Sequence, residues 1–252
     1  MKNIPINLFL AVLVSSLLLC IWEWGVQNWH VPRYILPAPS LILRTLSDNA
    51  ALYTQASLFT FSEAALGLLI GASLGFLTAS LIQFFPRLEE GAMTVAILIK
   101  STPMVAIAPL LTIWLGFGIL PKIIITALLT FFPVLVNALS GFHALDEGLL
   151  NTFRSWNASR SEIFWYMRLP SALPYLFAAL KVSAPLALIG AVVAEWTGAS
   201  GGLGRTMWLA YSNLNLPYLF AAVFILAVAG MLVYSSLNWL ERRVIFWRGE
   251  SW

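Results

Sequence analysis

Long hydrophobic runs separated by short polar segments dominate the chain. Six runs are long enough to cross a bilayer, since about 20 apolar residues span its hydrocarbon core. We predict membrane spans over residues 8–29, 56–85, 92–115, 122–142, 172–197 and 218–240. Prolines inside a span interrupt its hydrogen bonding, which lipid does not tolerate unless protein or a water-filled cavity covers the freed carbonyls. Such prolines stand at Pro103, Pro109, Pro133 and Pro185. The pattern predicts an all-α, polytopic membrane protein with six transmembrane helices.

Other features refine this picture. Gly67, Gly71 and Gly75 recur at four-residue spacing in the second span, so we expect close packing of another helix on that face. The proline-rich segment 31–55 predicts a short amphipathic helix at the membrane surface, capped by Ser40. The glycine-rich segment 198–217 predicts a second short outer helix.

Residues 144–174 form the longest interruption with polar residues between hydrophobic runs. In its first half, apolar side chains recur on one helical face, and Asp146 is placed to cap the start of that helix. The residues on that face are Leu149, Leu150, Phe153 and Trp156. Asn157 follows, and asparagine tolerates the left-handed conformation that ends many helices.

The second half of this loop predicts another short helix. Ser159 and Glu162 have the spacing of a capping box, and Ile163, Phe164 and Met167 supply an apolar face. We expect this helix to end near Pro170. Two amphipathic helices outside the lipid with exposed apolar faces imply a partner protein.

This loop resembles the cytoplasmic coupling loop of binding-protein-dependent ABC importer permeases. The family pattern is Glu-Ala-Ala, three residues, Gly, nine residues, Ile, one residue and Leu-Pro. Leu169-Pro170 match its end, Met167 takes the Ile place, and Asn157 takes the Gly place. Residues 151–153, which are Asn-Thr-Phe, depart from its front.

The resemblance extends from about Thr54 to Arg243. It includes KSTPMVAIAPLLTIWLGFG at 100–118, GAVVAEW at 190–196 and Gly-Leu-Gly at 202–204. Together these runs resemble the nitrate/sulfonate/taurine group of permeases. Within that group, the chain is similar to members proposed to carry pyrimidine thiamine precursors or riboflavin.

The resemblance implies a type I ABC importer permease fold in the bacterial inner membrane. It divides the chain into an N-terminal span and outer segment (1–53), the transmembrane domain (54–243) and a cytoplasmic tail (244–252). The implied partners are ABC ATPase subunits that bind the ATP, a periplasmic or lipid-anchored binding protein, and a second permease copy, with lipid around them. The permease itself has no catalytic residue and needs no cofactor.

The resemblance also implies site residues. Those expected to couple to the ATPase are Leu149, Phe153, Arg154, Trp156, Asn157, Ser159, Glu162, Phe164, Leu169 and Pro170. Those expected at the translocation path or a gate are Lys100, Pro103 and Glu195. Three alternatives stay open. The apolar face of Leu149, Phe153, Trp156 and Phe164 could pack on the permease itself. Glu195 could hydrogen-bond to the turn at 198–202, and Lys100 could extend to the inner membrane interface.

Composition and charge exclude several classes of protein. Of the 252 residues, 60% are hydrophobic and 10% are charged, whereas soluble domains average about 25% charged residues. The net charge of +3 gives no support for nucleic-acid binding. Cys20 is the sole cysteine, and only His30 and His143 could otherwise supply nitrogen ligands, so we expect no metal site.

Catalytic motifs are also missing from the sequence. Residues 198–206 imitate a phosphate-binding loop but place Ala199 and Arg205 where Gly and Lys are required, so ATP must bind to another chain. Glu63, Lys100 and Glu195 are the charged candidates inside spans for a membrane enzyme, and no nucleophile–base pair stands out. A stand-alone channel or secondary carrier is the other alternative, but it leaves the helix pair of the 144–174 loop without a role.

The distribution of Lys and Arg predicts the orientation, because cytoplasmic segments carry an excess of both. With both termini in the cytoplasm, the inner segments contain Lys2, Arg87, Arg154, Arg160, Arg168, Arg242, Arg243 and Arg248. The outer segments contain only Arg33, Arg44, Lys122 and Arg205. This bias independently predicts that the 144–174 loop faces the cytoplasm.

Overall fold

The computed structural model describes the backbone of residues 4–247 and the side chains of Leu10 and residues 13–247. Part of the predicted tail, 248–252, lies outside the described residues. Within the described part the chain is helical and contains no strand. In chain order its helices are α1 Ile4–Asn28, α2 Pro39–Asp48, α3 Ala50–Phe84, α4 Glu89–Ser101, α5 Met104–Leu115, α6 Leu120–His143, α7 Glu147–Ser155, α8 Arg160–Ile163, α9 Leu169–Trp196, α10 Leu203–Ser212 and α11 Leu216–Val244.

Four helical segments in the described part are long and apolar enough to cross a membrane. They are α3, α6, the continuous run Arg160–Trp196 and α11. A fifth arises if the segments Pro86–Ser101 and Met104–Leu115 form one broken span. The 25-residue α1 occupies the first predicted span. The all-α, multi-pass architecture is therefore confirmed, while the count of six spans stays a prediction.

The third predicted span is not one straight helix. Its two halves, α4 and α5, meet at a bend of 90°. Pro103 explains this break because a proline pushes the residue before it out of the helical conformation, and Thr102 is extended, with φ −79° and ψ 127°. Pro109, in contrast, lies inside α5 without ending it.

Two further expectations about helix boundaries are wrong. Pro133 does not interrupt the fourth span, because α6 continues through it from Leu120 to His143. Ser40 does not cap α2, which begins one residue earlier at Pro39. Instead, the backbone N–H and the hydroxyl of Ser40 both donate to the Glu23 carboxylate, at 2.9 and 2.6 Å. This contact joins α1 to the start of α2.

The core forms where α6 packs between α3 and α9. The three glycines predicted to form a smooth face lie against α6. A Cβ atom at Gly67 would lie 2.4 Å from the Cβ of Thr126, and one at Gly71 would lie 2.3 Å from the carbonyl oxygen of Ala127. Gly141 of α6 packs against α9, where a Cβ atom would lie 2.8 Å from the Cα of Ala172. The predicted close helix contact is confirmed, and α6 is the partner.

Hydrogen bonds and salt bridges sort the connecting segments into two groups at opposite ends of the bundle. At the end predicted to be cytoplasmic, Arg168 donates to Gln83, and His143 lies 3.9 Å from Glu89. At the other end, Tyr53 donates to the Tyr218 carbonyl at 2.9 Å. The loops that the sequence assigns to one side of the membrane are thus held together.

The close contact between α3 and α6 leads to a stability prediction. We expect Gly71→Ala to destabilise the protein by about 1–3 kcal/mol, because the new methyl group meets backbone that cannot move away. Such a loss should lower the Tm of the purified protein by about 2–10 °C. Gly91→Ala is the matched control, since no atom lies within 4 Å of its Cβ position. Equal Tm values for the two variants would contradict the packing.

Candidate functional site

The first helix of the 144–174 loop is capped as the sequence predicts. The carboxylate of Asp146 accepts hydrogen bonds from the backbone N–H groups of Gly148 at 2.6 Å and Leu149 at 3.2 Å. These bonds satisfy two of the N–H groups that a helix start leaves without partners. The helix α7 has no buried residue, so packing against the rest of the chain contributes little to it.

Asn157 ends this helix in the left-handed conformation, with φ at 58°. Its N–H donates to the Arg154 carbonyl at 3.0 Å, and the N–H of Ala158 donates to the Phe153 carbonyl at 3.1 Å. This is the hydrogen-bond pattern of a helix terminus that normally carries glycine. Asparagine therefore fulfils the backbone role of the family glycine, as predicted.

The capping box of the second helix is also confirmed. The backbone N–H of Ser159 donates to the Glu162 carboxylate at 2.7 Å, and the N–H of Glu162 donates to the Ser159 hydroxyl at 3.2 Å. The box starts α8, which spans only Arg160–Ile163 before the helix widens. The two predicted helices and their tight turn are all present.

We expected the second helix to end near Pro170, but it does not end there. Instead, Phe164–Arg168 forms one turn of π-helix that leads directly into α9, with Pro170 in its first turn. The N–H of Leu169 bonds to the Phe164 carbonyl, five residues back. A wide turn of this kind inserts one residue, so proline can follow without breaking the helix. The loop is therefore continuous with the fifth span.

The apolar residues of the loop divide into an exposed and a buried group. Trp156 is 71% exposed and packs on half-buried Phe153, with ring centroids 5.7 Å apart and ring planes tilted by 43°. Leu149 is also exposed. Phe164, expected on the same partner-facing surface, is only 6% exposed, since it packs between Phe84 and Phe142. The expectation that Phe164 is free to contact the ATPase is wrong.

The other predicted coupling residues differ in how exposed their side chains are. Arg154 is exposed on α7, and Leu169 and Pro170 are half-buried at the start of α9. Two exposed aromatic residues of the π-turn, Trp165 and Tyr166, were not predicted. Aromatic residues of this kind commonly mark the membrane–water interface, and this composition was the signal available in the sequence.

Lys100 and Pro103 lie together at the break between α4 and α5. Both residues are exposed in the single chain. The Lys100 ammonium lies 4.5 Å from the centre of the Phe132 ring, a cation–π contact with α6. The exposed side chains around the break are otherwise largely apolar, including Val95, Leu98, Val105 and Ile113.

Glu195 is 1% exposed and joins three helices. Its carboxylate accepts from the Thr60 hydroxyl of α3 at 2.6 Å and from the Gly204 N–H of α10 at 2.5 Å. Thr60 in turn accepts from the Leu203 N–H at 2.8 Å. The carboxylate thus lies at the N-terminus of α10, where a negative charge is stabilised. This geometry favours the hydrogen-bonding role that the sequence left open, with Gly204 as the donor.

Two more charged residues are buried beside Glu195. Glu63 of α3 is 4% exposed, and Lys122 of α6 is 2% exposed although the sequence placed it at the outer end of the fourth span and counted its charge as outside. The Lys122 ammonium donates to the carbonyls of Phe117 and Gly118 at 2.9 and 2.6 Å. Sequence reasoning singled out Glu63 but missed this cluster, because its members lie up to 132 positions apart in the chain.

Within residues 4–247, no group of three or more His, Cys, Asp or Glu side chains is arranged to hold a metal ion. The features present are a capped helix with exposed apolar side chains at one end and a buried polar junction at the other. They fit a protein whose task is conformational.

Comparison with known proteins agrees with this picture. The model of the family "Binding-protein-dependent transport system inner membrane component" matches residues 67–246. A Haemophilus influenzae protein named "Probable ABC transporter permease protein" is 33% identical, covering 96% of this chain and 98% of its own. The formylaminopyrimidine transport permease protein ThiX of Halalkalibacterium halodurans is 31% identical, covering 93% and 94%. Further relatives are named for aliphatic sulfonates, riboflavin, taurine and nitrate.

Solved structures support the fold alone. The chain matches one from a crystal structure of an amino acid ABC transporter with a TM-score of 0.65 and 20% identity, covering 79% of this chain and 97% of that one. The matched family model spans most of the chain, including the loop, its continuous helix α9 with Glu195, and α10, while Thr60 lies before the matched range. The chain therefore belongs to the family of binding-protein-dependent transport system inner membrane components, as a permease subunit of an ABC importer.

Proposed function

We propose that this permease couples ATP hydrolysis on a separate ATPase to import through its loop at 144–174. The observation that carries the proposal is the exposed apolar face of α7, with Leu149 and Trp156 largely accessible. A helix that packs little on its own chain, yet is capped at both ends, is suited to enter a groove on another protein. The capping contacts of Asn157, Ser159 and Glu162 hold this helix at a fixed angle to α8.

The proposed site is smaller than the sequence predicts. Leu149, Phe153, Arg154 and Trp156 form the surface offered to the ATPase, since all four lie on α7 or at its end. Phe164 instead anchors the loop to the bundle through Phe84 and Phe142. Leu169 and Pro170 connect the loop to α9. A push on α7 would then reach the span as a rigid-body movement.

We propose a second permease copy opposite the break between α4 and α5. Exposed Lys100 and Pro103 are costly in lipid, where a charge and irregular backbone must face protein or water. The surrounding apolar surface of α4 and α5 suits contact with another subunit. Two copies would form the translocation path between them, and the two copies are identical in this proposal.

The membrane arrangement follows from the charge bias. Both termini and the α7–α8 loop lie in the cytoplasm of a bacterial cell, and the protein spans the inner membrane. A periplasmic or lipid-anchored binding protein delivers the substrate to the opposite end, near α10 and Glu195. ATP closes the ATPase dimer, opens the path outward, and hydrolysis resets it.

The proposed substrate is a small organic anion or heterocycle. The relatives at about 30% identity are named for several such compounds, among them a formylaminopyrimidine and riboflavin. We favour a pyrimidine thiamine precursor or riboflavin over sulfonates, taurine or nitrate. The support for this choice is that the match covers 94% of the formylaminopyrimidine permease at 31% identity, against 88% of the Bacillus subtilis aliphatic sulfonate permease at 32% identity.

Uptake into proteoliposomes tests the function. With the permease, its ATPase and purified binding protein reconstituted, we expect ATP-dependent uptake of radiolabelled formylaminopyrimidine or riboflavin. Omitting either the ATPase or the binding protein should abolish the uptake. Solute flux through the permease alone would instead identify a channel or a secondary carrier. ATP-dependent uptake of taurine or an alkanesulfonate alone would replace the proposed substrate class but keep the importer.

The contact of α7 with the ATPase yields a second prediction. Trp156→Ala removes the most exposed aromatic side chain of this helix and should weaken ATPase binding by about 2 kcal/mol, or roughly 30-fold. Co-purification of the ATPase measures this loss, with permease insertion unchanged. Asn157→Pro should be more severe, because proline cannot adopt a positive φ. Asn157→Gly is the matched control and should be tolerated. An intact complex and normal transport in Trp156→Ala would exclude Trp156 from the contact.

A third prediction concerns Glu195, whose hydrogen bonds hold α9 to α3 and α10 at the outer end of the bundle. In Glu195→Gln, the negative charge at the start of α10 is lost, and an amide N–H₂ that faced the Gly204 N–H would leave a buried donor without an acceptor, at a cost of about 1–3 kcal/mol. We expect normal assembly but lost transport, or ATPase activity that the binding protein no longer controls. Glu90→Gln, at an exposed position, should behave as wild type. Poor expression, or no effect, would remove Glu195 from the functional residues.

A further inference from the structure

A cavity of about 470 Å³ lies where the end of α3 meets the loop helices α7 and α8. Its wall contains three arginines, one each from α7, α8 and the π-turn, and no carboxylate. The remaining lining is one amide and apolar residues. The lining residues are Gln83, Phe84, Pro86, Leu150, Arg154, Ala158, Arg160, Ile163, Phe164 and Arg168.

The donors in this wall are poorly satisfied. One guanidinium nitrogen of Arg168 donates to the Gln83 side-chain oxygen, but its Nε is buried and has no acceptor among the described residues. The Gln83 amide nitrogen is likewise buried without an acceptor in the described part of the chain. Arg154 makes a single long contact of 3.5 Å with Asn151. Buried donors without acceptors are rare, and a bound ion or an ordered water is the usual explanation.

The neighbouring carboxylates contact groups that do not line the cavity. Glu162 is held by Ser159 in the capping box, and Asp146 caps α7. Glu89 lies 3.9 Å from His143 instead. The positive charges of Arg154, Arg160 and Arg168 therefore converge on one concave space with partly apolar walls, where the attraction for an anion is stronger than at an open surface.

We propose that this cavity binds a phosphate group. Several guanidinium forks from different directions match the oxygen atoms of phosphate, which accepts paired hydrogen bonds. The volume lies within the usual range of small-ligand pockets, about 300–1,000 Å³. The phosphate belongs either to a soluble phosphomonoester of the cytoplasm or to an anionic phospholipid. The exposed Trp165 and Tyr166 beside the site are the residue types found at headgroup level.

Binding at this site would link two parts of the loop. Arg154 belongs to α7, which packs little on the bundle, whereas Arg168 belongs to the π-turn that continues into α9. A phosphate held by both would fasten the partner-facing helix to the span. The cytoplasmic source of the phosphate rests on the proposed orientation, but the binding site itself does not.

The test uses the full permease, purified in detergent and stripped of lipid, without the ATPase. We expect sodium phosphate to raise its Tm by about 2–4 °C over sodium chloride of equal ionic strength. Arg154→Gln, at an exposed residue, should remove at least half of this shift. Arg168→Lys keeps the charge but not the guanidinium fork, and should weaken the shift as well. Arg87→Gln is the matched control, because Arg87 lies at the same end but does not line the cavity.

A measurement of lipid retention distinguishes the two sources of phosphate. If phospholipid is the ligand, native mass spectrometry should find phosphatidylglycerol retained by wild type and Arg87→Gln but not by Arg154→Gln. If a soluble phosphomonoester is the ligand, phosphate should shift the Tm and phosphatidylglycerol should be retained equally by all variants.

Two results would overturn the proposal. The first is a Tm shift of equal size in wild type, Arg154→Gln and Arg168→Lys, or no shift in any of them, together with equal lipid retention. The second is protection of Arg154 and Arg168 from arginine-modifying reagents by the ATPase but not by phosphate or lipid, which would assign the cavity to the subunit contact. Since the Tm shift and the lipid retention are measured without the ATPase, failure of the coupling mechanism would leave both of these readouts unchanged.

Discussion

A carboxylate buried inside a membrane protein must find its hydrogen bonds within the protein. At the outer end of the fold, this requirement applies to Glu195. Its partners come from α3 and α10, so neither helix can move away without leaving a buried charge unsatisfied. The glycines of the adjoining turn are required by the same contact. A Cβ at Gly202 would lie 2.2 Å from the Glu195 carboxyl carbon, and its φ of 111° also favours glycine. The buried carboxylate thereby determines the start of α10 and the position of α9.

The helix that carries Glu195 also reaches the opposite end of the molecule. With 28 residues, α9 is about 42 Å long at 1.5 Å per residue, and its inner end joins α8 through the π-turn without a break. Burial of Phe164 fixes that turn to α3 and α6. A movement imposed on the loop would therefore displace a continuous helix whose far end is locked. The weakly packed α7 is the part of the loop that can respond to a partner.

Sequence reasoning succeeded where the signal was local. The Asp146 cap, the left-handed Asn157 and the Ser159–Glu162 box each depend on residues within a few positions, and all three formed as predicted. It failed where contacts between helices far apart in the sequence determine the structure. The apolar face of α8 was correct, but only the approach of α3 and α6 made Phe164 a core residue. The π-turn that carries the chain past Pro170 has no simple local signature, and the Glu63–Lys122–Glu195 cluster needs three helices in register.

The charged residues of the spans differ in whether their hydrogen-bond partners lie within the chain. Lys181 is paired with Glu241 and donates to Asn238 at 3.1 Å, which joins α9 to α11. Lys122 is held by two carbonyls, and Glu195 by Thr60 and Gly204. These charges are held within the chain and stabilise its helix contacts. Lys100 has only the face of Phe132 in the described part of the chain, and it is exposed beside the Pro103 break. An ammonium group in that position needs water or an acceptor from outside the subunit, so the surface around Lys100 is the part of the membrane region that a translocation path would require to be polar.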